Sequence, residues 1–143
     1  MSSKALNFFL KLLDIRKSRS ALVANRARAE LERVKTFESQ LIDYQREYQR
    51  AWVESAQRGG TVDELYARAS FVSRLGDTVE AQRPEVEAAS ERFDRASKRV
   101  IADSMRSSTL RNYLNTRRSA RKRAREHREE REANERGGIP PRR

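Results

Sequence analysis

The dipeptide Gly59-Gly60, with the Thr61-Val-Asp-Glu64 run behind it, constrains this chain more than any other feature. Glycine reaches the left-handed conformation that ends a helix at no steric cost. Thr61 is a capping residue for a helix that starts there, and Glu64 is placed to bond the cap's backbone N–H. One helix stops where the next begins, and so short a connection makes them antiparallel neighbours. The prediction is an all-α fold, a long antiparallel two-helix coiled coil forming a helical hairpin. One domain spans 1–136, with helix 1 at about 4–57, a turn at 58–61 and helix 2 at about 62–134. The C-terminal tail is basic and partly disordered, with residues 137–143 outside any helix.

The apolar pattern supports this. In the first arm a 3-4 spacing runs through Leu10, Leu13, Ala24, Ala27, Leu31, Val34, Leu41, Tyr48 and Trp52. Lys17, Ser20, Glu38 and Gln45 take the same heptad positions and weaken the seam locally. The second arm answers with Leu65, Ala69, Val72, Gly76, Val79, Val86, Phe93 and Val100. Gly76 in mid-helix costs about 1 kcal/mol relative to alanine, which suits a close helix approach. Pro84 removes one backbone donor, but Val79 and Val86 keep register across it, so a kink is expected rather than a break. Glu64–Arg68, Glu91–Arg95 and Asp94–Lys98 have the favourable i,i+4 order for an exposed face.

Past Thr116 the stripe gives way to arginines alternating with glutamates, and Gly137-Gly138 and Pro140-Pro141 close the helix. The formal charge of +11 draws the chain toward acidic surfaces of nucleic acid, lipid or protein. No cysteine is present, which excludes disulfides, thiol nucleophiles and cysteine-held metals. The apolar run Ala5 to Ile15 is interrupted by Asn7 and Lys11 and is too short to span a bilayer.

A second apolar row lies partly off the seam. Phe37, Leu41, Tyr44 and Tyr48 follow a 4-3-4 spacing, repeated in the other arm by Phe71, Leu75, Thr78 and Gln82. A hairpin centred between Gly59 and Gly60 pairs positions whose numbers sum to 119, and Tyr48/Phe71, Tyr44/Leu75, Leu41/Thr78 and Phe37/Gln82 all do. The rows therefore lie side by side on one flank. Aromatics at helical spacing usually thicken a core. Here the seam is already occupied, so a second row carrying Phe37, Tyr44 and Phe71 reads as a partly exposed binding patch.

The run Gln40-Leu-Ile-Asp-Tyr-Gln-Arg-Glu-Tyr48 resembles the signature of the FliJ family, coiled-coil components of the bacterial flagellar export apparatus. The charged first arm, the Phe71-to-Gln82 row and the basic last arm fit that resemblance over about residues 5 to 135. The resemblance implies an antiparallel coiled coil similar to the stalk of rotary ATPases, without enzymatic activity or cofactor. It implies as partners a hexameric export ATPase, an export-gate membrane protein and export chaperones. The location implied is cytoplasmic, at the inner face of the cell membrane, which is touched only peripherally through the export apparatus. The gate patch implied is Phe37, Leu41, Tyr44, Tyr48, Phe71, Leu75, Thr78 and Gln82. Phe37, Thr78 and Gln82 depart in kind from the family's residues there. The tip implied to enter the ATPase ring carries Arg16, Lys17 and Arg19 on one arm and Arg117, Arg118, Arg121 and Lys122 on the other. The injectisome stalk protein has the same architecture and is the alternative.

Other readings are weaker. The arginine-rich arm suits nucleic acid, but five acidic residues interrupt it and no aromatic follows Tyr113, so no specific nucleic-acid partner is expected. Leu6, Phe9, Leu10 and Leu13 share a helical face that Phe8, Leu12 and Ile15 widen, as in a membrane-surface helix. Packing against the returning arm or the ATPase is the plainer account. Catalysis finds no support: His127 sits in a charge run, and Asp43 and Glu47 share a face without a cleft to hold them.

Overall fold

The computed structural model describes residues 2–137, so most of the tail expected to be disordered lies outside it. Two helices, α1 at Ser3–Gln57 and α2 at Val62–Gly137, pack against each other as an antiparallel hairpin. The described residues contain no strand. Contacts group into two compact units. One is Ser20–Val100 and the other joins Met1–Arg19 to Ile101–Arg143.

The turn follows from its glycines. Gly59 has φ of 75°, which lets Gly59 N–H bond the Ala56 carbonyl at 3.4 Å and Gly60 N–H bond that of Ser55 at 3.1 Å. These are the 5→2 and 6→1 bonds of a Schellman ending. Thr61 then caps α2: its Oγ1 accepts from the Glu64 N–H at 3.2 Å. Two further bonds tie the arms beside the turn. Trp52 Nε1 donates to the Leu65 carbonyl at 3.2 Å, and Arg68 donates to that of Ala51 at 3.3 Å. Arg68, expected to pair with Glu64 along its own helix, thus reaches across the hairpin; the Asp94–Lys98 pair does form, at 3.2 Å.

Within Ser20–Val100 the seam is thin. Val34 and Ala89 are its buried apolar residues, with Leu31, Leu41, Val72, Val79, Val86 and Phe93 half-buried beside them. Ser20 is buried as well, although it carries a hydroxyl. Gly76 faces Gln45, whose Nε2 would lie 3.2 Å from an added Cβ. The space beside Gly76 is limited by that flexible amide end and not by the backbone of the other helix. α2 runs through Pro84 unbroken, and Val79 and Val86 are half-buried on either side of it. The proline removes one N–H donor, and the helix continues through it.

In the other unit Leu114 is buried, and Leu6, Leu10, Leu13 and Leu110 are half-buried. Its two most enclosed polar residues are Asp103, at 2% exposure, and Ser107.

The turn glycine Gly59 and the mid-helix glycine Gly76 should respond oppositely to alanine. Gly59→Ala forces a left-handed alanine and is expected to lower stability by about 1 kcal/mol or more. Gly76→Ala gains up to about 1 kcal/mol of helix preference while the Gln45 amide shifts aside. Urea unfolding followed by circular dichroism measures both. A loss at Gly76 matching that at Gly59 would mean that the helix approach there tolerates no side chain.

Candidate functional site

The flank row lies within Ser20–Val100. Phe37, Tyr44, Tyr48 and Phe71 are exposed, Leu41, Leu75 and Gln82 are half-buried, and Thr78 is exposed with its hydroxyl donating to the Arg74 carbonyl at 3.0 Å. The rung nearest the turn closes as the register predicts. The Tyr48 and Phe71 rings meet edge to face, their centroids 4.7 Å apart and their planes at 61°. Such a pair contributes about 0.5–1.5 kcal/mol beyond burial. The Arg74 guanidinium stands 5.9 Å from the Phe71 ring, extending the surface with a cation. On the α1 side, Tyr44 shares a shallow hollow of about 350 Å³ with Gln40, Asp43 and Glu47. The flank thus carries aromatic rings, with Asp43 and Glu47 beside Tyr44 on α1 and Arg74 beside Phe71 on α2. That suits a protein surface better than a small ligand.

The basic residues divide into two sets. Arg117, Arg118, Arg121 and Lys122 line one groove of about 320 Å³ together with Ser3, Asn7, Leu114 and Arg125. Arg121 donates to Ser3 Oγ at 2.9 Å, joining α2 to the first turn of α1, and Arg117 is half-buried. Five cations and no carboxylate face that groove. Arg16 is placed elsewhere, its Nε 3.7 Å from the Asp103 carboxylate. Arg19 is exposed, and so is Lys17, which has a polar partner of its own. The α2 cations therefore form a cluster, whereas Arg16 holds the hairpin together.

Sequence reasoning missed the polar layer beside these cations. Asp103 and Ser107 continue the 3-4 spacing from Val100 toward Leu110 and Leu114, the signal that places them in the seam. Asp103 sits between Arg16 and Arg106, at 3.7 and 3.6 Å. Ser107 donates a short bond to Asp14, and Arg111 donates to the other oxygen of Asp14 at 2.7 Å. The Ser107 hydroxyl first, then the Arg111 charge, hold the Asp14 carboxyl below its ordinary value. Among the described residues no group of histidines, cysteines and carboxylates could hold a metal ion, and no helix is long and apolar enough to cross a membrane.

Over residues 2–135 the sequence is matched by the family model described as Flagellar FliJ protein. The chain belongs to the FliJ family. Of the flagellar and injectisome relatives, the match is to the flagellar one. FliJ proteins are non-enzymatic components of flagellar type III export. No curated protein and no solved structure matches the chain.

A depressed carboxyl stabilises the fold above its ordinary pKa near 4 and loses that contribution as pH falls through its lower folded value. The stability difference between this FliJ protein and Asp14→Asn should therefore be constant from about pH 7 to pH 5 and shrink below about pH 4. Urea titrations across that range read it; a difference that grows toward acid would contradict the Ser107–Asp14–Arg111 arrangement.

Proposed function

We propose that this FliJ protein is the stalk of a flagellar export ATPase, a non-enzymatic helix pair that biases a hexameric ring and links it to the export gate. The observation that carries the reading is the exposed Tyr48–Phe71 rung. It supports the register that sets Phe37, Leu41, Tyr44 and Tyr48 beside Phe71, Leu75, Thr78 and Gln82 on one outer flank. This flank is the gate-binding surface. Tyr44 and Phe71 act as its anchors, since aromatic side chains dominate binding energy at protein interfaces.

The ATPase ring binds the basic cluster. The cluster of Arg117, Arg118, Arg121 and Lys122 around one groove suits an acidic pore lining, and steering by so much charge speeds docking. Arg16, Lys17 and Arg19 contribute from α1. A two-helix stalk cannot touch six subunits alike, so its binding favours some subunit conformations over others, which promotes assembly and turnover. Export chaperones are further partners, and the protein works at the cytoplasmic face of the inner membrane.

Adding the purified protein to the export ATPase should raise both hexamer formation and ATP hydrolysis. Reversing the cluster with Arg118→Glu and Lys122→Glu should remove most of that effect. Tyr44→Ala with Phe71→Ala should weaken gate binding about 10-fold or more, as two anchors of at least about 1 kcal/mol each would, while helicity stays unchanged. If the protein changes neither assembly nor hydrolysis, the stalk role is wrong. If the double variant loses its helicity, the row belongs to the core.

A further inference from the structure

The N-terminal segment of α1 is apolar on two sides, but α2 covers one of them. Leu6, Leu10 and Leu13 are half-buried against the returning helix. Phe8, Leu12 and Ile15, spaced by four and three, stand 63%, 46% and 50% exposed on the opposite side. The broad face expected from sequence is thus divided: Leu6, Leu10 and Leu13 lie in the seam, Phe8, Leu12 and Ile15 are bare, and Phe9, expected beside the leucines, is 52% exposed between the two. Single exposed apolar residues are ordinary; three large ones stacked over two turns of one helix are not.

The margins of the bare face are cationic. At 100° per residue Lys4 and Lys11 fall along one edge, and Arg19 closes the far end, all three exposed. The one acidic residue of the segment, Asp14, is turned inward to Ser107 and Arg111. No carboxylate of α1 therefore borders the outer side there. Beyond the first turn of α1, exposed Arg118, Lys122 and Arg125 add positive charge around the groove that includes Ser3 and Asn7.

We propose that this outer face of α1 docks directly on an anionic phospholipid surface. Phe8, Leu12 and Ile15 enter the boundary between headgroups and acyl chains, and Lys4, Lys11 and Arg19 extend to the lipid phosphates. Long cationic side chains beside a narrow apolar stripe are suited to this, because their stems lie along the apolar zone while the charges stay in water. A second copy of the chain is a poor occupant, since each carries +11 and would set like charges together. Three apolar side chains alone hold a membrane weakly, so binding requires anionic lipid as well as the stripe. Arg19, Arg118 and Lys122 are shared with the surface assigned to the ATPase ring, whereas Lys4, Lys11 and the apolar residues lie outside both surfaces assigned above, and the test falls on these unshared residues.

Sedimentation of the full chain with vesicles tests it, at about 150 mM salt, where the Debye length is about 8 Å. Vesicles of phosphatidylcholine mixed with phosphatidylglycerol should bind at least about 10-fold more tightly than phosphatidylcholine alone. Phe8→Gln with Leu12→Gln should reduce that binding by about 10-fold or more with helicity unchanged, and Lys4→Gln with Lys11→Gln by several-fold. As a readout that charge alone does not move, Phe8→Trp in a Trp52→Phe background should shift its emission to the blue on the mixed vesicles. Failure to bind, full binding by the glutamine variant, or an unshifted emission would each overturn the proposal. So would vesicles ignored by a protein whose export-ATPase binding is lost with Phe8→Gln and Leu12→Gln; that result assigns the face to a protein. Stimulation of the ATPase is measured separately, so a failed stalk role and a failed lipid contact are distinguishable.

Discussion

Every contact between the two helices descends from the reversal at Gly59, where a positive φ lets two amides turn back onto Ser55 and Ala56. Once that residue is fixed, the partner of every other residue is fixed too. Near the turn Ala51 meets Arg68 and Tyr48 meets Phe71, positions that sum to 119. Arg28 lies over Phe93, and Asp14 bonds Ser107, two residues later in the sum. A binding surface on such a protein is a matter of register before it is a matter of residue type.

Two helices share one narrow seam, and so little of this chain is fully enclosed. Val34, Ala89 and Leu114 are buried apolar side chains, and the enclosed polar ones are Ser20, Asp103 and Ser107. Asp103 is costly where it stands. Its carboxylate is shut from water, with Arg16 and Arg106 at 3.6–3.7 Å and no protein donor for Oδ2. A valine there would pack better, yet it would fit many alignments, whereas a carboxylate between two arginines fits one. The polar layer thus places a buried carboxylate against one arginine from each helix of its unit.

Much of this fold is legible in the sequence because one local signal, glycine followed by a capping threonine, determines a global fact. The Tyr48–Phe71 rung follows from arithmetic on that signal, and the family follows from the Tyr44-to-Tyr48 run. What the sequence hides has a common cause. Asp103 and Ser107 occupy apolar positions of the heptad, and a search for apolar residues ends the stripe at Val100 instead of following its spacing. The segment around Phe8 reads as one broad face, since apolar residues on all sides of a helix do not say which side the partner covers. Arg68 reaches for a carbonyl across the hairpin rather than for Glu64, because a guanidinium chooses among neighbours that only the fold supplies.

The register itself is open to a direct measurement, since the chain has no cysteine to interfere with labelling. Spin labels at Tyr48→Cys and Phe71→Cys, read by double electron–electron resonance, should give one short distance. Packed helix axes lie about 8–10 Å apart, and only the label tethers add to this. A distance near 35 Å, the span of the intervening residues along one continuous helix at about 1.5 Å each, would contradict the hairpin and every surface placed by it.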